Sequence, residues 1–304
     1  MNYKQIEKLI QYCRNIRVNF TSKKKLGCIA NYQYFCQNFI NMVKKIVLFS
    51  LLISLFSCGE YQKVLKSSDA NYKYEMAVKY YENGDFNRAM PLFRELTTML
   101  RATKRSEEVI YYLAYCHYNN GDFITSSYLF KNYLKTFPNG SHVKESSYMG
   151  AYCVYLESPS YSLDATYTKK AVDELQQFIN LYPISSEKEK CEQLISELHN
   201  KLACKSFENA KQYYTTQYYK SAIIALNNVL IDYPGNKYRE EIHFLILKSS
   251  YELAIKSIST KVEERLNNTI DAFLVFNDNY PESKYIKQAA KINQQTTESL
   301  NKLK

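Results

Sequence analysis

The sequence predicts an all-α protein built as a superhelix of about five stacked helix pairs. Three observations carry this. Gly (7) and Pro (6) are scarce in 304 residues, which disfavours corner-rich sheet folds. Asn83-Gly84-Asp85-Phe86 recurs as Asn120-Gly121-Asp122-Phe123, a shift of 37 residues. An aromatic residue followed by proline closes four apolar-periodic segments, at Phe137-Pro138, Tyr182-Pro183, Tyr233-Pro234 and Tyr280-Pro281.

The shift of 37 is not confined to the turn. It carries Tyr74 to Tyr111 and Tyr148, Ala77 to Ala114 and Ala151, Val78 to Tyr115 and Tyr152, and Tyr81 to Tyr118 and Tyr155. Repetition at such a period marks units that bury their apolar faces by stacking on one another. Proline cannot continue a helix and pushes its predecessor out of the helical region, so each aromatic-Pro pair reads as a helix end. Pro91 reads as an early second-helix residue, where a missing N–H is tolerated near the first turn.

This pattern resembles the tetratricopeptide repeat, which implies a right-handed superhelix with small residues where paired helices approach. Ala77, Gly84, Ala89 and Phe93 fit in the first copy, and Ala114, Gly121, Ser126, Phe130 and Pro138 in the second. The third offers Ala151, Ala171, Leu175, Phe178 and Pro183, with a longer inter-helix loop holding Ser158-Pro159-Ser160. The fourth offers Ala210, Tyr213, Ala222, Leu226 and Pro234, with Gln217 in place of the turn glycine. The fifth fits least, through Phe273, Phe276 and Pro281, and its loop reads as stretched. The expected copies span 71–104, 105–142, 143–187, 203–238 and 239–285, together 71–286, followed by a polar tail helix over 287–304.

The front of the chain reads as an address. Lys44-Lys45 precede an apolar run from Ile46 to Phe56, too short to span a bilayer, and Ser57-Cys58 follow. A basic start, a short apolar run and a small residue before the cut describe a secretory signal over 42–57. Leu55-Phe56-Ser57-Cys58 resembles a bacterial lipoprotein box, with Phe56 where a small residue is usual. That resemblance implies cleavage between Ser57 and Cys58, then a diacylglyceryl group and an N-acyl chain on Cys58 as a membrane anchor. More than one acyl chain is needed for stable anchoring. Residues 58–70 would be a lipidated linker. Met42 reads as the initiator and residues 1–41 as a mis-assigned extension; the alternative is a genuine N-terminal extension.

Charge and reactive residues exclude several functions. The net charge of +10 suggests nucleic acid, but residues 1–57 hold nine basic residues and one acid. Taking these from 40 basic and 30 acidic residues leaves 31 and 29 from Cys58 onward, a net of +2. No concentrated basic surface for phosphates remains. Cys116, Cys153, Cys191 and Cys204 form no Cys-x-x-Cys, and the four histidines are scattered, so no metal site is expected. Cys116 and Cys153 read as small core residues; Cys191 and Cys204 could pair under oxidation. Glu107-Glu108, Glu240-Glu241 and Glu263-Glu264 read as solvated pairs rather than acid/base groups. With no phosphate loop, nucleophile elbow or metal-binding helix motif, the expectation is no enzyme, no cofactor and no small-molecule substrate.

Residues four and three apart share a helix face. Tyr74, Val78 and Tyr81 form one stripe, continued by Tyr111, Tyr115 and Tyr118 and by Tyr148, Tyr152 and Tyr155. Tyrosine combines large apolar area with a polar tip, so the stripe reads as a groove for an extended peptide. The alternative is that these rings pack between repeats.

Further residues carry a closer resemblance. Cys58-Gly59-Glu60-Tyr61-Gln62-Lys63-Val64-Leu65-Lys66 is similar to the opening of the BamD family of β-barrel assembly lipoproteins, in its Bacteroidetes-type members. Also similar are Ser158-Pro159, Leu163-Asp164 and Thr168 in the third-repeat loop, and Asp232-Tyr233-Pro234 with Tyr238-Arg239-Glu240-Glu241. The resemblance covers about Cys58 to Tyr285. It implies an adaptor on the periplasmic face of the outer membrane. Its N-terminal repeats would bind unfolded outer-membrane proteins, and its C-terminal repeats the BamA-type barrel subunit. Alternatives are another repeat lipoprotein scaffold of cell-envelope maintenance or pilus assembly, or a glycan-binding lipoprotein. The envelope-maintenance type would show a heptad segment before the repeats, and the glycan binder would show Trp platforms; neither is present.

Overall fold

The computed structural model describes Met42 and residues 59–303, and every regular element among them is helical. The readings of residues 1–41 as an extension, of the signal beyond Met42, and of Ser57 and Cys58 fall outside the described residues. The chain divides into two compact units, Met1–Ser68 and Asp69–Lys304. In the first, residues 59–66 form a helix where a linker is expected.

The second unit contains eleven described helices. They are α1 (Ala70–Glu82), α2 (Phe86–Met99), α3 (Ser106–Asn119), α4 (Phe123–Thr136), α5 (Val143–Leu156), α6 (Thr166–Leu181), α7 (Lys188–Thr215), α8 (Tyr219–Asp232), α9 (Arg239–Ile255), α10 (Ser259–Asn279) and α11 (Ile286–Asn301). Each helix packs on the next in sequence, and α1 also meets α3, α7 meets α9 and α9 meets α11. First helices therefore neighbour first helices, as stacked helix pairs require.

The repeated Asn-Gly-Asp-Phe turn has a local cause. Asn83 caps α1, Gly84 follows with φ +75°, and Asp85 begins the next helix. Gly84 N donates to Tyr81 O at 2.9 Å and Asp85 N to Tyr80 O at 2.8 Å. This is a Schellman closure, which satisfies carbonyls left open at a helix end. Asp85 then accepts from Arg88 N at 3.2 Å, capping α2. Gly121, at φ +79°, and Asp122 repeat both jobs. Gln217 does adopt the glycine's place, at φ +65°, with Gln217 N on Tyr214 O and Tyr218 N on Tyr213 O. Phe137, Tyr182, Tyr233 and Tyr280 cap α4, α6, α8 and α10, and each N–H closes on the carbonyl four residues back.

The small residues sit at the helix contacts. Ala77, Ala89, Ala114, Ser126, Ala171 and Ala222 are fully buried, as are Phe93, Phe130, Leu175, Leu226 and Phe276. Ser126 Oγ donates to Ala114 O at 3.0 Å, so even the polar member of this set is satisfied.

Several expectations change. The first helix of the fourth copy begins at Lys188, not 203, and is one continuous 28-residue helix. Cys191 and Cys204 lie thirteen residues apart on it, about 20 Å along the axis, which excludes the disulfide; both are free. Tyr213 is 46% exposed, and Tyr214 takes the packed position. The fifth copy has a short loop, and its extra length lies in the 21-residue α10. The tail helix α11 is not polar throughout: Ala289 packs with Phe244, Leu247 and Phe276. Pro91 is the sixth residue of α2, past the first turn. The carbonyl it leaves without a donor is that of Asn87, an exposed residue that water reaches.

Candidate polypeptide-binding face

The nine stripe residues lie on α1, α3 and α5, the first helices of three successive pairs. Eight are half-buried, and Tyr148 is buried at 9% exposure. Tyr148 therefore leaves the expected groove. Its ring stacks on Tyr152 at 5.7 Å and meets Phe178 edge-on at 5.6 Å.

Five of the other rings touch one another along and between helices. Tyr111 and Tyr115 meet at 4.9 Å, Tyr115 and Tyr118 at 6.2 Å, Tyr118 and Tyr152 at 6.5 Å, and Tyr152 and Tyr155 at 5.8 Å. Tyr115 also packs edge-on against buried Phe130 at 5.1 Å. Packing between repeats and partial exposure thus coexist. Each ring braces its neighbours and keeps part of its surface open.

Three of the hydroxyls are held by carboxylates of the following first helix. Tyr74 Oη donates to Glu108 at 2.5 Å, Tyr155 Oη to Glu197 at 2.7 Å, and Tyr115 Oη to Glu145. Burial, reinforced by Glu108 and Glu145, pushes the Tyr74, Tyr111 and Tyr115 phenols far above their usual range. For Tyr155 the Glu197 hydrogen bond leads, raising it to about 12. These phenols stay neutral at physiological pH, so the face presents aromatic area and hydrogen-bonding tips rather than nucleophiles. Burial likewise raises the Cys116 thiol to about 12 and the Cys153 thiol to about 11, which leaves both unreactive.

Residues that the sequence reading passed over complete the face. His142 stacks on Tyr111 at 3.9 Å, and Tyr112 stacks on Phe93 at 5.4 Å. The Lys190 ammonium lies over Tyr152 at 4.9 Å and Tyr148 at 5.6 Å. On α7, Phe207, Lys211 and Tyr214 take the stripe positions when the turns are matched, and Lys211 lies over Phe207 at 5.3 Å. The stripe therefore changes character in the fourth pair, gaining a cation.

The solvated reading of two acidic pairs is also corrected. Glu107 accepts from Tyr133 Oη, Ser141 N at 2.7 Å and Ser141 Oγ at 2.8 Å. The Tyr133 hydrogen bond, then those of Ser141, hold its carboxyl below the usual range. Glu240 accepts from Ser283 Oγ at 2.5 Å, and Glu241 pairs with Lys211 at 2.7 Å. These acids tie the turn after a second helix, or the neighbouring first helix, to the array. Glu263 and Glu264 are exposed, as expected.

No group of three metal-ligating side chains occurs among the described residues. None of the described helices is long and apolar enough to cross a membrane. No curated protein matches the chain. A family model, YfiO, described as an outer membrane lipoprotein, matches residues 66–266, from just before α1 into α10. With two thirds of its length matched, this array of helix pairs belongs to the YfiO family of outer membrane lipoproteins.

Proposed function

We propose that the chain is a lipid-anchored periplasmic scaffold of the β-barrel assembly complex, with a BamD-like role and no catalytic activity. Unfolded outer-membrane proteins would lie along the tyrosine face of α1, α3 and α5. The later pairs would dock the BamA-type barrel subunit, and acyl chains on Cys58 would hold the array at the outer membrane. The observation that carries the reading is the half-open stripe of tyrosine rings in a member of an outer membrane lipoprotein family. Such a surface offers rigid aromatic area at low entropy cost and suits an extended chain with aromatic side chains. A client chain must order on binding, so affinity is modest.

The test has two arms. Affinity capture of the intact lipoprotein from solubilised membranes should recover the barrel-forming subunit, and its absence would count against the complex. Tyr118→Leu with Tyr152→Leu keeps apolar volume but removes two rings. It should weaken a fluorescent peptide copied from the aromatic C-terminal strand of an outer-membrane barrel by about tenfold, within the cost of losing two ring contacts. Unchanged affinity in a folded double variant would move the client site elsewhere.

A further inference from the structure

In α3, α5 and α9 the third residue is a glutamate that reaches back to an earlier first helix. Glu108 accepts from Tyr74 Oη at 2.5 Å, Glu145 from Tyr115 Oη, and Glu241 from Lys211 Nζ at 2.7 Å. In α7 the same place holds Lys190. It too reaches back, to α5, where its ammonium lies over the rings of Tyr152 and Tyr148. The sign of the charge is therefore reversed at one joint of the array, beside the last helix of the tyrosine stripe.

No carboxylate pairs with Lys190 among the described residues, and the groups that face it are the phenols of Tyr148, Tyr152 and Tyr118. The acids around it are engaged elsewhere. Glu187 pairs with Lys144 at 2.9 Å, Glu192 lies 3.8 Å from Lys188, and Glu197 accepts from Tyr155 Oη at 2.7 Å. Glu189 is the neighbour in sequence, and adjacent residues do not face each other on a helix.

Aromatic rings attract a cation but leave its charge uncompensated. Lys190 is exposed, and Tyr118 and Tyr152 beside it are half-buried. An ammonium on a partly dry aromatic floor is the complement of an anion, and it attracts a carboxylate more strongly than a lysine surrounded by water does.

We propose that Lys190 reads charge on the tyrosine face, seating a carboxylate of the bound client beside the Tyr118 and Tyr152 rings. This rests on the tyrosine face being the client site. The client lays apolar or aromatic area on these two rings, which lie 6.5 Å apart across α3 and α5, while its carboxylate accepts from Lys190 Nζ. An acidic side chain and a chain terminus present the same group to the ammonium.

The test uses the full-length chain in non-ionic detergent and fluorescence anisotropy with three decapeptides of alternating Thr and Tyr, each carrying a neutral N-terminal dye. The first has a central Glu and an amidated end. The second has a central Gln and a free terminal carboxylate. The third has a central Gln and an amidated end, and so no charge. At least one of the first two should bind about fivefold more tightly than the third, and which one does so names the source of the carboxylate. Lys190→Gln should bind all three alike, Lys190→Arg should keep the preference, and Lys190→Glu should reverse it. Lys190 is exposed, so circular dichroism and melting of these variants should match the parent. Equal affinities for the three peptides in the parent, or a carboxylate preference that survives Lys190→Gln, would overturn the proposal. Tyr118→Leu with Tyr152→Leu, read with the uncharged peptide, tests the face itself. Weakened binding there beside equal affinities in the parent would remove the charge reading and keep the face. Unchanged binding would move the client site and take this proposal with it.

Discussion

Gly84, Gly121 and Gln217 occupy the same left-handed place in three inter-helix turns, at φ +75°, +79° and +65°. The paired hydrogen bonds are the same in all three, so the residue type is the variable. An L side chain in this region costs about 1–2 kcal/mol. A Cβ built on Gly84 or Gly121 meets nothing within 4 Å, so the cost of adding one comes from the backbone alone. Alanine also restricts the unfolded chain, which offsets about 0.4–1 kcal/mol. Gly84→Ala should therefore destabilise by about 1 kcal/mol, and Gln217→Gly should stabilise by about the same amount. Urea unfolding followed by circular dichroism reads the total. Native-state hydrogen exchange at the turns reads the local term, because repeat arrays need not unfold in one step. Exchange at the Ala222 amide, which donates to Tyr218 O at 2.9 Å, should slow about fivefold in Gln217→Gly. A neutral Gly84→Ala, or a Gln217→Gly that lowers stability, would show that the left-handed position carries no strain in this array.

Two further outcomes follow from the packing and the titrating groups. The Glu107 carboxyl is held below its usual range by Tyr133 and Ser141, and Glu187, on Ser185 and Lys144, falls to about 2 from the usual 4.5. A depressed carboxylate stabilises the fold above its ordinary range and loses that contribution as pH falls through the folded value. The melting temperature should thus drop as the pH falls from about 4.5 toward 2. Glu107→Gln should lower it at pH 7 and converge with the parent in acid; parallel curves would discount the Tyr133–Glu107–Ser141 cluster. Phe130→Ala removes a fully buried ring beneath Tyr115 and should cost about 3–5 kcal/mol, read from the urea midpoint, with the half-buried Phe273→Ala costing less.

Where the chain repeats itself, the sequence can be read almost directly. The 37-residue shift locates the first three helix pairs, because glycine, the capping aspartate and the aromatic-Pro ends are local devices whose cause lies within a few residues. The start of the fourth pair escapes this reading. Its turn lacks glycine, and the first half of α7 has only Cys191, Leu194, Leu198 and Leu202 to mark its buried side. That spacing is helical but matches none of the repeat's own landmarks. The stripe itself is visible as a period, yet its hydroxyl acceptors are not. Tyr74, Tyr115 and Tyr155 reach glutamates 34, 30 and 42 residues further on, distances set by how one pair stacks on the next. The same holds for Glu107, whose three donors converge only once α4 has turned back toward α5.

The length of α7 has a mechanical consequence. Its early residues Cys191, Leu194 and Leu198 belong to the apolar cluster of the second and third pairs, and Phe207 and Ala210 to that of the fourth and fifth. One unbroken rod about 42 Å long is thus rooted in both halves of the array. A hinge cannot open between them without bending or unwinding that rod, so a tilt imposed at one end is delivered to the other. Whatever the early pairs grasp, the late pairs feel as a change of angle, and a single proline midway along the rod would sever that transmission while leaving each end folded on its own cluster.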